Sequence, residues 1–143
     1  MDWGYLLLSY HGRISRKQYW IGSCVIIVRS ILVSLISYNL NNHELSSVAD
    51  LALLYPDYAV VFKRAHDRDM SIWIPTLSLI LGALLSGIGV LGLDGPFERP
   101  TPLFWIIAIP TISLAVYLII DLGFRKGISG PNRFGPDPLE RQA

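Results

Sequence analysis

The sequence predicts an all-α membrane protein whose fold is a four-transmembrane-helix bundle. Hydrophobic residues make up 52% of the 143 residues and charged residues only 16%, against roughly a quarter in an ordinary soluble domain. The mean hydropathy is +0.44. The apolar residues gather in four runs, and the lysines and arginines cluster between alternate runs. This alternation predicts a single membrane domain over residues 1–143 that crosses the bilayer four times.

Three of the four runs have the length and composition of a membrane span. A helix of about 20 apolar residues crosses a hydrocarbon core about 30 Å thick. Residues 72–93 and 103–120 contain no charged residue, and residues 20–38 contain only Arg29. We expect one transmembrane helix in each of these ranges.

The run at residues 45–62 is ambiguous by hydropathy, because it contains Asp50, Pro56 and Asp57. The distribution of basic residues resolves the ambiguity, since cytoplasmic loops accumulate lysine and arginine. If residues 45–62 span, ten of the 12 basic residues lie on one side and only Arg99 on the other. The ten are Arg13, Arg16, Lys17, Lys63, Arg64, Arg68, Arg125, Lys126, Arg133 and Arg141. We therefore expect four spans, with the N- and C-termini both cytoplasmic.

Local capping signals place the starts of two helices. Ser15 and Gln18 have the spacing of a capping box, in which each side chain satisfies a backbone N–H of the other residue. A helix should therefore begin at Arg16 and continue into the first span. Thr101 before Pro102 combines a preferred N-cap residue with proline at the first helical position, which predicts the start of the fourth span.

Within the first 14 residues, Asp2 is followed by a set of apolar or interfacial residues, and the basic residues come after that set. The set is Trp3, Tyr5, Leu6, Leu7, Leu8 and Tyr10. A secretory signal peptide has the reverse order, with positive charge before the apolar core. We therefore expect either an N-terminal interfacial segment at the membrane surface or a segment packed against the bundle.

Arg29, Asp50 and Asp57 form the predicted intramembrane polar cluster. Ionisable side chains in a membrane are costly unless they are paired or hydrated. A rise of about 1.5 Å per residue places Arg29 near the middle of the first span, within reach of either aspartate on an antiparallel neighbour. Three interpretations follow: a buried ion pair that fixes the register of two helices, a polar path or proton relay, or an arginine that snorkels to the interface.

The predicted loop from Lys63 to Trp73 contains His66, Asp67 and Asp69. These side chains have the chemistry for a divalent metal site or for acid–base catalysis. One histidine with two carboxylates at this spacing is a weak ligand set, so we expect no metal, no cofactor and no catalytic residue. Structural hydrogen bonds, together with contacts from the loop arginines to lipid headgroups, are the preferred interpretation.

Three ordered segments of the chain carry a resemblance to a known family. They are Gly12-Arg13-Ile14-Ser15-Arg16 through Tyr19-Trp20, then Arg64-Ala65-His66-Asp67 with Ser71 and Trp73, then Gly130-Pro131-Asn132-Arg133-Phe134-Gly135-Pro136-Asp137-Pro138. Together they resemble the DUF805 family of small bacterial inner-membrane proteins. The resemblance implies a multi-pass protein of the cytoplasmic membrane, and it implies no biochemical activity. Ala65 stands here for the usual leucine, and Asp69 and Ile72 stand where glycines are usual.

The tail, residues 125–143, is rich in glycine and proline, and its Pro-Asn, Phe-Gly and Pro-Asp-Pro sequences predict tight turns. With the resemblance, we expect an ordered C-terminal strap that docks on residues 13–17 and 64–68. Asp67, Asp69 and Asp137 would then pair with Arg13, Arg16 or Arg133. We call the predicted cytoplasmic set of motif residues the motif face: Gly12, Arg13, Arg16, Arg64, His66, Asp67, Trp73, Asn132, Phe134, Gly135 and Asp137.

Three function classes remain open from the sequence. The preferred one is a structural or interaction module that presents the motif face to a membrane or cytoplasmic protein or to anionic lipid headgroups. The second is a transporter or channel component that uses Arg29, Asp50 and Asp57, and the third is a membrane enzyme that uses His66 and Asp67. A net charge of +1 without a broad basic surface excludes a nucleic-acid partner. Homo-oligomers are compatible with the sequence.

Overall fold

A computed structural model describes residues 2–140 of the chain, apart from the side chain of His43. Met1 and residues 141–143 lie outside the described residues, so the end of the predicted tail and Arg141 are not assessed. The described residues form five α-helices and no strand. The helices are α1 (Trp3–Leu8), α2 (Arg16–Asn39), α3 (His43–Asp67), α4 (Trp73–Val90) and α5 (Pro102–Phe124).

The helices α2 to α5 are each long and apolar enough to cross a membrane, which confirms the predicted four-helix class, including the ambiguous run at residues 45–62. Consecutive helices pack on one another, and α5 also packs on α2, so the four helices close into a bundle. Large apolar side chains on all four helices remain exposed on the outer surface, as expected for helices that face lipid.

The predicted helix starts are confirmed. The Ser15 hydroxyl accepts from the backbone N–H of Gln18, and the Gln18 side chain accepts from the N–H of Ser15 at 2.9 Å. At the start of α5, the Thr101 hydroxyl accepts from the N–H of Phe104 at 3.2 Å, with Pro102 as the first helical residue.

The predicted loop from Lys63 to Trp73 is wrong in its first half, because α3 continues to Asp67. Arg64 and His66 lie in the last turn of α3. The arginine places positive charge near the carbonyl end of the helix, where it is stabilising. The turn that follows places Asp69 at φ 49°, in the left-handed region. This backbone conformation favours glycine, and the chain has an aspartate there instead. Aspartate tolerates the left-handed region better than most other residues do.

The N-terminal segment forms α1 and packs on α3. Leu6 is fully buried against the bundle, while Trp3 and Leu8 stay exposed. The buried Lys63 side chain donates to the carbonyl oxygens of Tyr5 and Leu6, at 2.7 Å for Leu6. These carbonyls belong to the last turn of α1, and the last carbonyl groups of a helix need partners from outside its own hydrogen-bond ladder. Of the two predicted arrangements, the structure shows the one packed on the bundle.

The most buried part of the core lies at the end of the bundle where α2 begins and α3 and α5 end. Gly22 allows α2 to approach α3 closely, since a Cβ at this position would lie 3.0 Å from a methyl group of Val60. The buried apolar side chains of this core are Leu6, Ile14, Tyr19, Val60, Ala65, Leu118 and Leu122. This core supports the three motif segments.

Candidate functional site

The three motif segments meet at one end of the bundle. The segment before α2, the last turn of α3 and the strap after α5 contact one another through buried polar side chains. Residues 125–140 of the strap run as a series of turns. Its contacts are built around one carboxylate.

Asp67 bridges two buried arginines. Its Oδ1 accepts from Nε and Nη2 of Arg13 at 3.0 and 2.9 Å, and its Oδ2 accepts from Nη1 of Arg64. The side chains of Arg13 and Arg64 are each 1% exposed and that of Asp67 is 4% exposed. Charges buried to this degree are stable only when they are paired and their remaining hydrogen-bonding groups are satisfied.

Backbone carbonyls satisfy the remaining guanidinium N–H groups. Arg13 donates to Gly130 at 2.7 Å and also to Ile128 and Gly135, so one side chain holds three positions of the strap. Arg64 donates to the carbonyls of Leu122 at 2.7 Å and Arg125 at 2.6 Å, at the end of α5. The two arginines and one carboxylate leave one excess positive charge, and these carbonyl dipoles stabilise it.

His66 also helps to hold the strap against the bundle. Its ring stacks on Phe134 with centroids 3.9 Å apart and planes 9° apart. Its Nδ1 lies 3.2 Å from the carbonyl oxygen of Gly12, and its own carbonyl accepts from Nδ2 of Asn132 at 2.9 Å. The imidazole is therefore held on two sides by the two other motif segments.

Asp137 closes the strap on itself. One carboxylate oxygen accepts from the N–H of Leu139 at 2.9 Å and the other from the N–H of Gly130 at 3.0 Å. These two hydrogen bonds lower the pKa of the Asp137 carboxyl below its ordinary value, and the bond from Leu139 has the larger effect. Asn132 and Gly135 exchange a pair of backbone hydrogen bonds at 3.0 Å, which closes a second turn.

A rim of charged side chains surrounds this buried network. Asp121 pairs with Arg125 at 2.8 Å, as the spacing of one helical turn predicts, and with Arg68 at 3.2 Å. Arg133 pairs with Asp69 at 2.7 Å. Arg125 and Arg133 are nevertheless mostly exposed, so the outer surface of this end is basic.

Some residues of the predicted motif face do not join the network. Trp73 is 76% exposed at the start of α4. Arg16 is exposed and donates to the carbonyl of Phe124 at 3.3 Å. Of the predicted ion pairs, Arg13–Asp67 and Arg133–Asp69 are present, whereas among the described residues Asp137 forms no ion pair and accepts from backbone N–H groups instead.

Two residues of the site carry no signal in the sequence. Lys63 resembles any basic residue at the end of a span, yet it is buried against α1. Gly127 lies against the carboxylate of Asp67, where a Cβ would be 2.6 Å from Cγ. Both contacts join segments about 60 residues apart, and no local pattern reports such contacts.

The intramembrane polar cluster lies apart from the motif face, since Asp57 precedes Asp67 by roughly 15 Å of helix. Nη2 of Arg29 is 2.6 Å from Asp57 and 3.8 Å from Asp50, so Asp57 is the main partner. The side chain of Asp50 is 47% exposed. Nε and Nη1 of Arg29 are buried and have no hydrogen-bond partner in the part of the chain that the structure describes.

The histidine, cysteine and acidic side chains do not form a metal centre within residues 2–140, where no group of three could hold a metal ion. Asp67 is committed to two arginines and His66 to Phe134 and Gly12. The arrangement is chemically suited to holding segments together rather than to transferring protons to a substrate.

Gly127→Ala tests the docking of the strap. The added methyl group collides with the buried Asp67 carboxylate, and we expect a loss of about 1–3 kcal/mol in the free energy of unfolding. Faster amide hydrogen exchange at residues 128–135 should accompany it. Gly87→Ala is the matched control, because a Cβ there meets open space. Equal stability and exchange for both variants would show that the strap does not rest on Asp67.

Arg29→Leu tests whether the intramembrane cluster is a structural ion pair. Removing the cation leaves two acids unpaired, and we expect a loss of about 3–5 kcal/mol in unfolding free energy, measured by denaturation in bicelles. Adding Asp50→Asn and Asp57→Asn should restore most of it, while Arg99→Leu in an exposed loop should change little. A triple variant as unstable as Arg29→Leu alone would contradict the pairing role.

Comparison with known proteins places the chain in a family. The family model described as "Protein of unknown function (DUF805)" matches residues 7–136. The chain is 33% identical over 132 residues to the Uncharacterized protein YiiR of Escherichia coli (strain K12), covering 92% of this chain and 86% of that protein. It is 29% identical over 148 residues to the Inner membrane protein YhaH of the same strain, covering 96% of this chain and 97% of that protein.

No solved structure matches the chain. The family match covers the first two motif segments in full and the third as far as Pro136. The resemblance stated from the motifs is therefore confirmed, and so is the expectation of a multi-span membrane protein. The chain belongs to the DUF805 family.

Proposed function

We propose that the chain is an inner-membrane interaction protein with both termini in the cytoplasm. In this proposal the buried motif network is a rigid cap on the bundle, and the basic rim around it contacts anionic lipid headgroups. The observation that carries the proposal is the placement of the exposed cations. They lie at the end of the bundle where the motifs meet: Arg16, Lys17, Arg125, Lys126 and Arg133.

The same placement supports the orientation. In the described residues the opposite end of the bundle carries one basic side chain, Arg99, and the acidic side chains of Glu44, Asp94 and Glu98. Such asymmetry is typical of proteins whose basic end stays in the cytoplasm. The name of the relative YhaH supports the inner membrane as the location.

The burial of the motif residues changes which surface a partner would meet. Arg64, Asp67 and Arg13 are almost fully buried and bonded to one another, so they hold the cap together and are not available to a partner. The rim side chains outside this network form the accessible surface. The motif residues then serve the interaction indirectly, because they fix the strap that carries Lys126 and Arg133.

Lipid headgroups fit this rim better than a protein partner does. The exposed aromatic side chains of Phe124 and Trp20 lie beside the basic residues, in edge-to-face contact with centroids 5.5 Å apart. Aromatic side chains next to basic ones are typical of the boundary between hydrocarbon and headgroups. The cytoplasmic leaflet is anionic and attracts such residues. A protein partner or a second copy at the same rim is the alternative.

A transport component is the second candidate. It is favoured by the half-exposed Asp50 and by two N–H groups of Arg29 that have no hydrogen-bond partner among the described residues. A polar route across the bundle needs acidic or amide side chains on several helices. α4 contains none, and α5 contains Asp121 alone, at its end and paired with Arg68 and Arg125. An interaction module therefore accounts better for the distribution of polar side chains. The proposed enzyme at His66 and Asp67 receives no support from the geometry.

Thiol labelling of single-cysteine variants tests the orientation, in a background with Cys24→Ala. Ser129 lies in the strap and Phe97 in the loop between α4 and α5, and both are exposed. We expect a membrane-impermeant maleimide to label Phe97→Cys in spheroplasts, and Ser129→Cys only after the membrane is permeabilised. Labelling of Ser129→Cys in sealed spheroplasts would place the rim outside the cytoplasm and overturn the proposal.

A further inference from the structure

A cleft of about 560 Å³ lies between the start of α2 and the strap. Its volume is in the range of small-ligand sites. Arg16 and Lys17 line one side, and Lys126, Ser129 and Leu139 line the other. The cleft is therefore bounded by two segments that the Asp67 network brings together.

Arg64 also lines the cleft and is committed to Asp67, but the exposed cations of the cleft have no anionic partner among the described residues. Within residues 2–140, the side chains of Lys17 and Lys126 make no hydrogen bond and no ion pair, and Arg16 contacts only the carbonyl of Phe124. By contrast, Arg125 and Arg133 elsewhere on the rim are paired with aspartates. Lys17, Lys126 and Arg16 are thus exposed cations of this end that have no anionic partner among the described residues.

Two acids line the cleft, Asp67 and Asp137, and neither forms an ion pair with Arg16, Lys17 or Lys126 among the described residues. Asp67 accepts from Arg13 and Arg64, and Asp137 accepts from two backbone N–H groups. Four cationic side chains and two carboxylates line the cleft, so it keeps a net positive charge. An anion that enters it would meet two ammonium groups, one guanidinium and the hydroxyl of Ser129.

Exposed aromatic side chains lie next to one of the residues that line the cleft. Arg16 contacts the carbonyl of Phe124, and the Phe124 ring packs against Trp20, whose Nε1 donates to Gly123 at 3.1 Å. The exposed rings of Phe124 and Trp20 therefore place apolar surface next to a cation of the cleft. An amphiphile would match both surfaces, with its anionic head in the basic cleft and its acyl chains on the neighbouring apolar surface.

We propose that this cleft binds the phosphate group of an anionic phospholipid, with Lys17 and Lys126 as its main ligands. The proposal deepens the proposed function and rests on it, because the cleft must face the anionic leaflet. Free inorganic phosphate shares the chemistry of the head and is the other source of the same group. Binding would tie the strap to the start of α2 and raise the melting temperature.

Lipid binding to the purified full-length protein in an uncharged detergent tests the proposal. The probes are short-chain phosphatidylglycerol, short-chain phosphatidylcholine and inorganic phosphate. Each is titrated into the protein, and its affinity and its effect on the melting temperature are measured. We expect phosphatidylglycerol to bind more tightly than phosphatidylcholine. Lys17→Gln with Lys126→Gln should weaken its binding by about 25-fold, at about fivefold for each lysine.

Arg125→Gln with Arg133→Gln is the matched control, since it removes the same charge from the rim outside the cleft. We expect it to weaken phosphatidylglycerol binding by less than about threefold. The melting temperatures of both double variants without lipid check that each is folded. Because Lys17 and Lys126 are exposed and unpaired, their replacement should leave that temperature unchanged.

The possible outcomes separate the cleft from the proposed function. The cleft is supported if the lysine variant loses the preference for phosphatidylglycerol and the control variant keeps it. It is also supported if inorganic phosphate binds as tightly as phosphatidylglycerol, and that result would identify a soluble source of the phosphate group. A preference that both double variants weaken equally overturns the cleft and leaves a diffuse basic rim. No preference for phosphatidylglycerol in the unmodified protein overturns both.

Discussion

The salt bridge of Asp67 with two buried arginines is the interaction on which the rest of this end of the molecule depends. A buried guanidinium without a carboxylate is strongly destabilising, and here one carboxylate serves two of them. Because Arg13 precedes α2 and Asp67 ends α3, the salt bridge fixes the relative positions of two spans. The strap is fixed in turn, since its carbonyls satisfy the other N–H groups of Arg13. The three motif segments are therefore interdependent.

This dependence gives the family motifs a physical meaning. Arg13, Arg64 and Asp67 resemble the charged residues of a binding surface when they are read in the sequence, but their side chains are at most 4% exposed. They are the contacts by which the strap docks. The accessible chemistry belongs to less distinctive residues, such as Lys17 and Lys126, which the network positions.

The sequence predicts the four spans and two of the helix starts because those features depend on local composition and capping. The docking of the strap on the other motifs was likewise expected from the glycine- and proline-rich tail together with the family resemblance. The extension of α3 through Arg64 to Asp67 was missed, because a run of charged residues after an apolar span is typical of a loop. Here tertiary contacts of these residues stabilise the helix, and the local sequence does not show such contacts. Lys63 and Gly127 were missed for the same reason, since each acts on a segment distant in sequence.

A double-mutant cycle between Arg13 and Asp67 tests the central claim most directly. Unfolding free energies in bicelles would be compared for the unmodified protein, Arg13→Gln, Asp67→Asn and the double variant. If the salt bridge organises this end, the double variant should be little less stable than either single one, with a coupling energy of about 1–3 kcal/mol. Additive losses, with no coupling between the two positions, would contradict this account.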